Sequence, residues 1–431
     1  MTTVNEPNHG LAAMRDILLT LIVFGSLPAI FKSPVIGALM WVWISVMNPH
    51  SQGWGFATHF PFALIVAVAT VASMALSRAP RALPWNAISL TLIAFTLWMN
   101  VTLPFSIDVD ASLGQWWKVM KIMLMSFVTM MLIKSRQDVE RLIWVLAASI
   151  GFYGIKGGIF TLRTGGENRV WGPEDSFIGD NNAIALALIM TIPLMVFIQQ
   201  NSSRPLVRRA LTASMLLCAL AALGSYSRGA LLAIAAMCVF LWFKSRNKVA
   251  LGSLIVFAAP LLLLFMPQQW SSRMDTIGQY QADSSAQGRI NAWYMAFNLA
   301  KDRFFGGGFA IYDGGVFAVY APDPADVHAA HSIYFQVLGE HGFVGLLLYL
   351  LLGVFTWLSC ARIIGQTAGV APLQWARSLA TMVQTSMVGF AVGGAFLSLV
   401  YFDMPYYMMA AIIATRALVE RELAALALGQ R

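Results

Sequence analysis

Apolar runs at roughly 17–31, 34–47, 60–77, 86–103, 119–133, 142–162, 182–199, 210–224, 229–243, 249–266, 343–361, 378–401 and 404–419 alternate with short polar breaks. Within each run the hydrophobicity is continuous rather than alternating, which is the pattern of a buried or lipid-facing helix and not of a barrel strand. Most runs approach or exceed the length that crosses a hydrocarbon core about 30 Å thick. The pattern predicts an all-α polytopic integral membrane protein with one transmembrane domain over residues 1–431. A single long polar interval, 267–342, is expected as a loop containing short helices.

Lys and Arg give this pattern a direction. Every second break holds Lys32, Arg78 and Arg81, Lys134, Arg136 and Arg141, Arg204, Arg208 and Arg209, Lys244, Arg246 and Lys248, Arg362 and Arg377, and then Arg416, Arg421 and Arg431. The remaining breaks hold fewer basic residues over much more chain. Positive charge near span ends marks the cytoplasmic side. The breaks at 163–181, 225–228 and 267–342 then share the opposite, outer face, and the C-terminus is cytoplasmic. A literal count gives thirteen spans and an outer N-terminus. The first two runs are short, with only Lys32-Ser33-Pro34 between them, and they read as one interrupted element. About twelve spans are expected on that reading, with both chain ends inside.

Composition strengthens the membrane reading. Hydrophobic residues make up 58% and charged residues 11%, against about 25% charged in soluble domains; mean hydropathy is +0.68. The net charge of +8 is dispersed among the breaks, so membrane lipids are expected partners and nucleic acid is not. Cys218, Cys238 and Cys360 lie inside apolar runs and suggest neither a disulfide framework nor a metal site. The first run lacks a basic flank and a small-residue cleavage site, so it is expected to be retained.

The outer breaks are acidic with isolated arginines. Arg228, in Ser225-Tyr226-Ser227-Arg228-Gly229, sits between two short apolar runs. A charge so close to the bilayer is either functional or snorkelling to headgroups. Arg169 lies in a longer break, where an ordinary surface role has the better prior. Arg289 opens a stretch with apolar residues at helical spacing, read as an amphipathic helix on the outer surface. His331 opens another helical pattern that carries Tyr334 and reaches Glu340-His341-Gly342. His328 is close by, and spacing alone does not choose between the histidines. His328 and His331 with Asp326 would make only a loose metal-ligand pattern. No phosphate loop or Gly-x-Ser-x-Gly occurs, and no Asp-x-Asp of the kind that holds a metal-nucleotide.

Taken in order, Ser227-Arg228-Gly229, Gly288-Arg289 with Trp293, Gly306-Gly307-Gly308-Phe309 and His331-Ser332-Ile333-Tyr334 through Glu340-His341-Gly342 resemble the bacterial O-antigen ligase superfamily. That superfamily includes O-antigen polymerases and O-linked oligosaccharyltransferases. The stretches Arg15-Asp16-Ile17-Leu18 and Met47-Asn48-Pro49-His50 resemble its exosortase-associated, ligase-like branch. Many relatives have His-Asn where this chain has His331-Ser332.

The resemblance implies a membrane fold of the glycosyltransferase C type. It also implies a donor glycan on undecaprenyl diphosphate, a lipid A–core acceptor, and metal-independent, inverting transfer without a cofactor. The place of reaction would be the periplasmic side of the bacterial inner membrane. It carries His331, Arg228 and Arg289 over as essential residues, with Arg169 and Asn182 as further matching positions. Tyr334 and Glu340 are candidate substrate-binding residues.

These roles suit the chemistry. Arginine presents a fixed fork to phosphate oxygens and can stabilise the leaving diphosphate. Histidine titrates near neutrality and can act as the base, although orienting the acceptor or binding the diphosphate remains open for His331. The same donor and residues would serve a polymerase or a protein oligosaccharyltransferase. A lipid-linked glycan transporter is the alternative from another class.

Overall fold

The computed structural model of the chain describes residues 9–53, 55–77, 82–244, 248, 249, 252, 253, 256, 266–275 and 284–429. Among these residues the regular structure is helical. The run expected at 249–266 lies largely outside them, as do Arg78, Arg81, Arg246, Asp283 and Arg431.

Helix α1 (His9–Lys32) and helix α2 (Pro34–Met47) are divided by Ser33 alone. Proline disfavours helical backbone in the residue before it, and Ser33 is extended at φ −149°, ψ 106°. The chain doubles back there. Arg15, early in α1, donates to the Gln52 carbonyl beyond the end of α2 at 3.3 Å, and Asp16 accepts from the Ala57 amide at 3.4 Å. The first two runs are therefore two antiparallel helices and not the single interrupted element expected from their length. Helix α1 begins at the end of the bundle where α2 finishes.

Parts of α1, α4 (Ala87–Thr102), α6 (Arg136–Arg163), α7 (Asn181–Asn201), α8 (Pro205–Gly224) and α13 (Ile333–Gln366) are long and apolar enough to cross a membrane. Helices α3 (Phe62–Leu76), α5 (Val109–Leu132), α9 (Arg228–Lys244), α14 (Gln374–Gly394) and α15 (Asp403–Gly429) pack with them. The protein is a multi-pass, all-α membrane protein. Local sequence sets several helix starts. Asn86 and Ser135 each accept the amide three residues on, while Ser89 and Asp138 return the bond, so two capping boxes open α4 and α6.

Helix α7 is the axis of the bundle, buried without interruption from Ala183 to Thr191. It packs against α6, α8, α9 and α14. Small residues bring the backbones together, the usual means of helix association where lipid supplies no hydrophobic drive. A side chain at Gly158 of α6 would strike the Leu217 backbone of α8, and one at Gly393 of α14 would strike Leu186 of α7. Helix α15 is tied to α2 by polar contacts: Ser45 donates to the Asp403 carboxylate, and Trp41 Nε1 donates to the Tyr407 hydroxyl at 2.8 Å.

Among its described residues the long polar interval holds three helices, α10 (Gln268–Asp275), α11 (Ser284–Asp302) and α12 (Gly314–Tyr320), with non-helical chain at 303–313 and 321–332. It meets the bundle at a break inside α13, where Gly342 takes φ 67° and ψ −172°. Only glycine adopts that backbone readily, and a side chain there would also collide with the Phe304 carbonyl. The break releases the carbonyls of Gly339 and Glu340, which accept from the Gly307 and Gly308 amides, each at 2.9 Å. The Gly307 carbonyl in turn accepts from Ile107 at 2.9 Å. The triple glycine is thus a backbone brace that satisfies a broken helix.

Candidate active site at the loop-bearing end of the bundle

Three segments from different parts of the chain converge at the start of α7. The first is the turn between α8 and α9. Its Ser225 carbonyl accepts from Asn181 Nδ2 at 2.7 Å, a buried bond to the first residue of α7. Tyr226 adopts a positive φ of 61°, and its hydroxyl donates to the Gly166 carbonyl at 2.7 Å. Ser227 then accepts from the Ala230 amide at 3.1 Å and caps the helix that Arg228 begins. The Arg169 guanidinium lies 5.6 Å from the centre of the Tyr226 ring. Trp270 of α10 closes the group by donating to the Leu223 carbonyl at 3.0 Å. Arg169 and Arg228 thus flank one rigid turn, seated on α7.

The second segment is the N-cap of α7. Asp180 accepts from the amides of Asn182 and Ala183 at 2.8 and 3.0 Å, which orients its carboxylate over the helix start. Asn182 follows, half-buried.

The third is α11 with the strand-like stretch that leads to His331. Asn291 Nδ2 donates to the carbonyls of Asp323 and Asp326 at 2.8 and 2.9 Å. Trp293 Nε1 donates to the Ala330 carbonyl at 2.7 Å, and its ring stacks on Phe335 at 5.0 Å. The arginine-bearing helix therefore holds the backbone immediately before His331. That residue has φ 42°, a region L-residues rarely occupy. Such strain persists where surrounding contacts enforce it, and it clusters at functional sites.

His331 is half-buried, and burial lowers its pKa from the ordinary value. The positive charge of Arg289 lowers it further, Asp180 opposes, and His328 adds to the lowering. These effects place Arg289, Asp180 and His328 within electrostatic reach of His331. The turn of Arg228 approaches from the other side: Gly229 faces Phe396, just beyond α14, while Gly394 at the end of α14 faces Ile333.

Tyr334 is the second residue of α13, and its hydroxyl donates to the Ala391 carbonyl of α14 at 2.8 Å. Glu340 lies elsewhere. It is 2% exposed and accepts from Gln336 Nε2 at 3.1 Å and from the Tyr401 hydroxyl. Tyr401 contacts His341 Nε2 at 2.8 Å, and His341 Nδ1 meets the Thr102 hydroxyl at 2.9 Å. With the Tyr401 proton on Glu340, the tautomer protonated on Nε2 completes the chain, and Nδ1 then accepts from the Thr102 hydroxyl, which also lies 3.1 Å from the Met99 carbonyl. The chain of bonds runs in one direction and ends on the carboxylate.

Beside the start of α13 an apolar cavity of about 390 Å³ opens between α13, α14 and the first turn of α15. Ile333 and Tyr334 line its end nearest His331, and Tyr349, Trp357, Tyr406 and Met409 line the rest.

Two family models match the chain. Residues 14–203 match a family of unknown function, DUF5935. Residues 213–350 match the model described as O-antigen ligase. Over that stretch the chain is similar to the O-antigen ligase family. No curated protein matches the chain. The ligase domain holds Arg228, Arg289, His331, Tyr334 and Glu340, whereas Arg169, Asp180 and Asn182 come from the other match. The site is assembled across the seam between them. Sequence reasoning passed over Asp180 and Asn291. The first had a visible cue, an Asp opening an apolar helical run; the second had none, because its partners lie more than thirty residues away.

Proposed function

We propose that the protein transfers a glycan from undecaprenyl diphosphate to a sugar hydroxyl of lipid A–core, at the periplasmic face of a bacterial inner membrane. The observation that carries this reading is the convergence of Arg289, His331, Asp180 and the Arg228 turn on one helix start. In the reaction the acceptor oxygen attacks the anomeric carbon from the face opposite the diphosphate, so the configuration inverts. The bond to the diphosphate breaks, and its electron pair leaves on the phosphate oxygen. A lipid diphosphate is a good leaving group, and stabilising the charge that develops on it is the main demand. Arg228 and Arg289, held on rigid turns and helices, supply that stabilisation without reorganising. A histidine of the same loop receives the hydroxyl proton. Arg169 and Asn182 are assigned to the glycan or diphosphate, beside the same turn. The apolar cavity that starts at Tyr334 offers a place for the lipid tail within the membrane.

The test is reconstitution. Purified protein in lipid nanodiscs receives undecaprenyl-diphosphate glycan together with lipid A–core, a growing glycan or an acceptor protein. Transfer to lipid A–core is expected. Transfer to one of the other acceptors alone replaces the ligase reading by a polymerase or a protein oligosaccharyltransferase. Scrambling of the lipid-linked glycan without transfer sinks the enzymatic reading.

A further inference from the structure

The loop contains a second acid–histidine pair that the arginines and His331 leave unused. Asp326 Oδ1 lies 2.6 Å from His328 Nδ1, with the histidine side chain 45% exposed and the aspartate 33%. The pair is built into the site rather than hung from its surface. Asn291, only two residues beyond Arg289 and 6% exposed, donates to the Asp326 and Asp323 carbonyls and accepts from the Asp323 amide at 2.9 Å. The imidazole of His328 lies directly on the backbone of Gly288, where a Cβ would come within 2.7 Å of Nδ1. The glycine of the Gly288-Arg289 pair is therefore explained by the ring that covers it.

The two histidines are equipped for different work. A carboxylate on Nδ1 fixes the tautomer with Nε2 as acceptor and stabilises the imidazolium once a proton arrives. The open side of His328 faces solvent, where an acceptor sugar would approach. His331 is half-buried beside Arg289, and both features disfavour a positive charge on it. A group on which burial and a neighbouring cation disfavour charge is better suited to hydrogen bonding than to proton removal.

We propose that His328, held by Asp326, is the general base that removes the proton from the attacking sugar hydroxyl, while His331 hydrogen-bonds the donor beside Arg289. This assignment rests on the glycosyl-transfer reading. The hydroxyl proton passes to His328 Nε2 as the oxygen–carbon bond forms, the glycan–diphosphate bond breaks, and the imidazolium later releases the proton to water. Asp326 is a positioning residue for that step.

The experiment uses the full-length protein in nanodiscs, with undecaprenyl-diphosphate glycan and the acceptor that the wild type uses. Without wild-type transfer the underlying reading fails, and the base assignment falls with it. With wild-type transfer, His328→Ala and His328→Gln are expected to lower kcat about a hundredfold while the donor KM changes less than twofold. Added imidazole should restore turnover in His328→Ala in proportion to its free-base fraction. Asp326→Asn is expected to lower kcat less than either His328 variant, with the donor KM unchanged. His331→Ala should weaken donor binding and gain nothing from imidazole. Wild-type kcat in either His328 variant overturns the proposal while leaving the transfer reading intact. Imidazole rescue of His331→Ala in place of His328→Ala does the same.

Discussion

Asp326–His328 and Glu340–His341 are two acid–histidine neighbourhoods on one stretch of chain, on either side of the start of α13. The first is partly open to solvent, with a carboxylate on one ring nitrogen, the Gly288 backbone against the ring and 45% of the side chain exposed. The second is sealed: His341 is fully buried, its nitrogens are taken by Tyr401 and Thr102, and its carbonyl accepts from Trp98 Nε1 at 2.8 Å. Residue type is the same in both, so composition cannot tell them apart. What separates them is whether hydrogen-bonding capacity is left over. A buried network that is fully satisfied rigidifies and specifies one arrangement. An exposed pair with a spare acceptor can exchange protons with a substrate. The sealed pair therefore braces the break at Gly342, and the open one is the pair proposed to act on the acceptor.

The largest expected effect falls on the open side. Arg289→Ala and Arg228→Ala should each lower kcat by about a hundredfold to a thousandfold, the magnitude of removing one charge-stabilising donor from a transition state. Thermal unfolding in detergent should stay near that of the wild type. Donor binding unchanged in both variants would count against the diphosphate clamp.

On the sealed side the order reverses. Glu340→Ala leaves the Tyr401 hydroxyl and the Gln336 amide without their common acceptor. Leaving a buried donor unsatisfied costs about 1–3 kcal/mol, so the unfolding temperature should drop, and protein that still folds should retain its turnover. Glu340→Gln keeps the shape and one acceptor oxygen and should recover part of the loss. If Glu340→Ala kept wild-type stability and lost only turnover, Glu340 would belong with the catalytic group and the contrast between the two pairs would be broken.

This contrast marks how far the sequence could be read. Continuous apolar runs and the Lys and Arg asymmetry were enough for the helical membrane class and for the common end at which the polar loops meet. Arg228, Arg289 and His331 could be singled out because each interrupts or opens an apolar pattern, and the fold brings their segments toward one helix start. The sealed surroundings of Glu340 were not legible, because its partner Tyr401 lies 61 residues on and the neighbouring break at Gly342 depends on amides from Gly307 and Gly308. The doubling back of α1 on α2 was equally hidden. Two short runs separated by a proline suit one bent helix or two antiparallel ones, and only the contacts of Arg15 and Asp16 with the segment after α2 decide. The triple glycine showed its composition but not its partners.

A smaller effect is expected where the two family matches meet. Arg169 is exposed and touches the site through the face of the Tyr226 ring. Contacts of this kind at exposed positions contribute about 0.5–1 kcal/mol. Arg169→Ala should therefore raise the donor KM severalfold at most, with kcat close to wild type. Arg169→Lys should recover little, because an ammonium cannot stack as a planar guanidinium does. A hundredfold loss of kcat in Arg169→Ala would move this residue into the charge-stabilising group beside Arg228 and shift the weight of the site toward the region of unknown function.

The smallest effect is a pH dependence that distinguishes His331 from an ordinary surface histidine. Burial, then Arg289, lowers its pKa in the folded protein below the usual 6.5, with Asp180 partly opposing. Between that lowered value and 6.5 the unfolded chain binds a proton at this position that the folded protein does not. Stability then rises with pH through this window and is fully present above it. Acidification from pH 7 toward 5 should lower the unfolding temperature slightly, and His331→Gln should flatten that slope. Arg289→Ala should narrow the window from below, because removing the positive neighbour lets His331 accept its proton at a higher pH. An unchanged slope in both variants would mean that the coupling between Arg289 and His331, on which the open side of the comparison depends, is absent in solution.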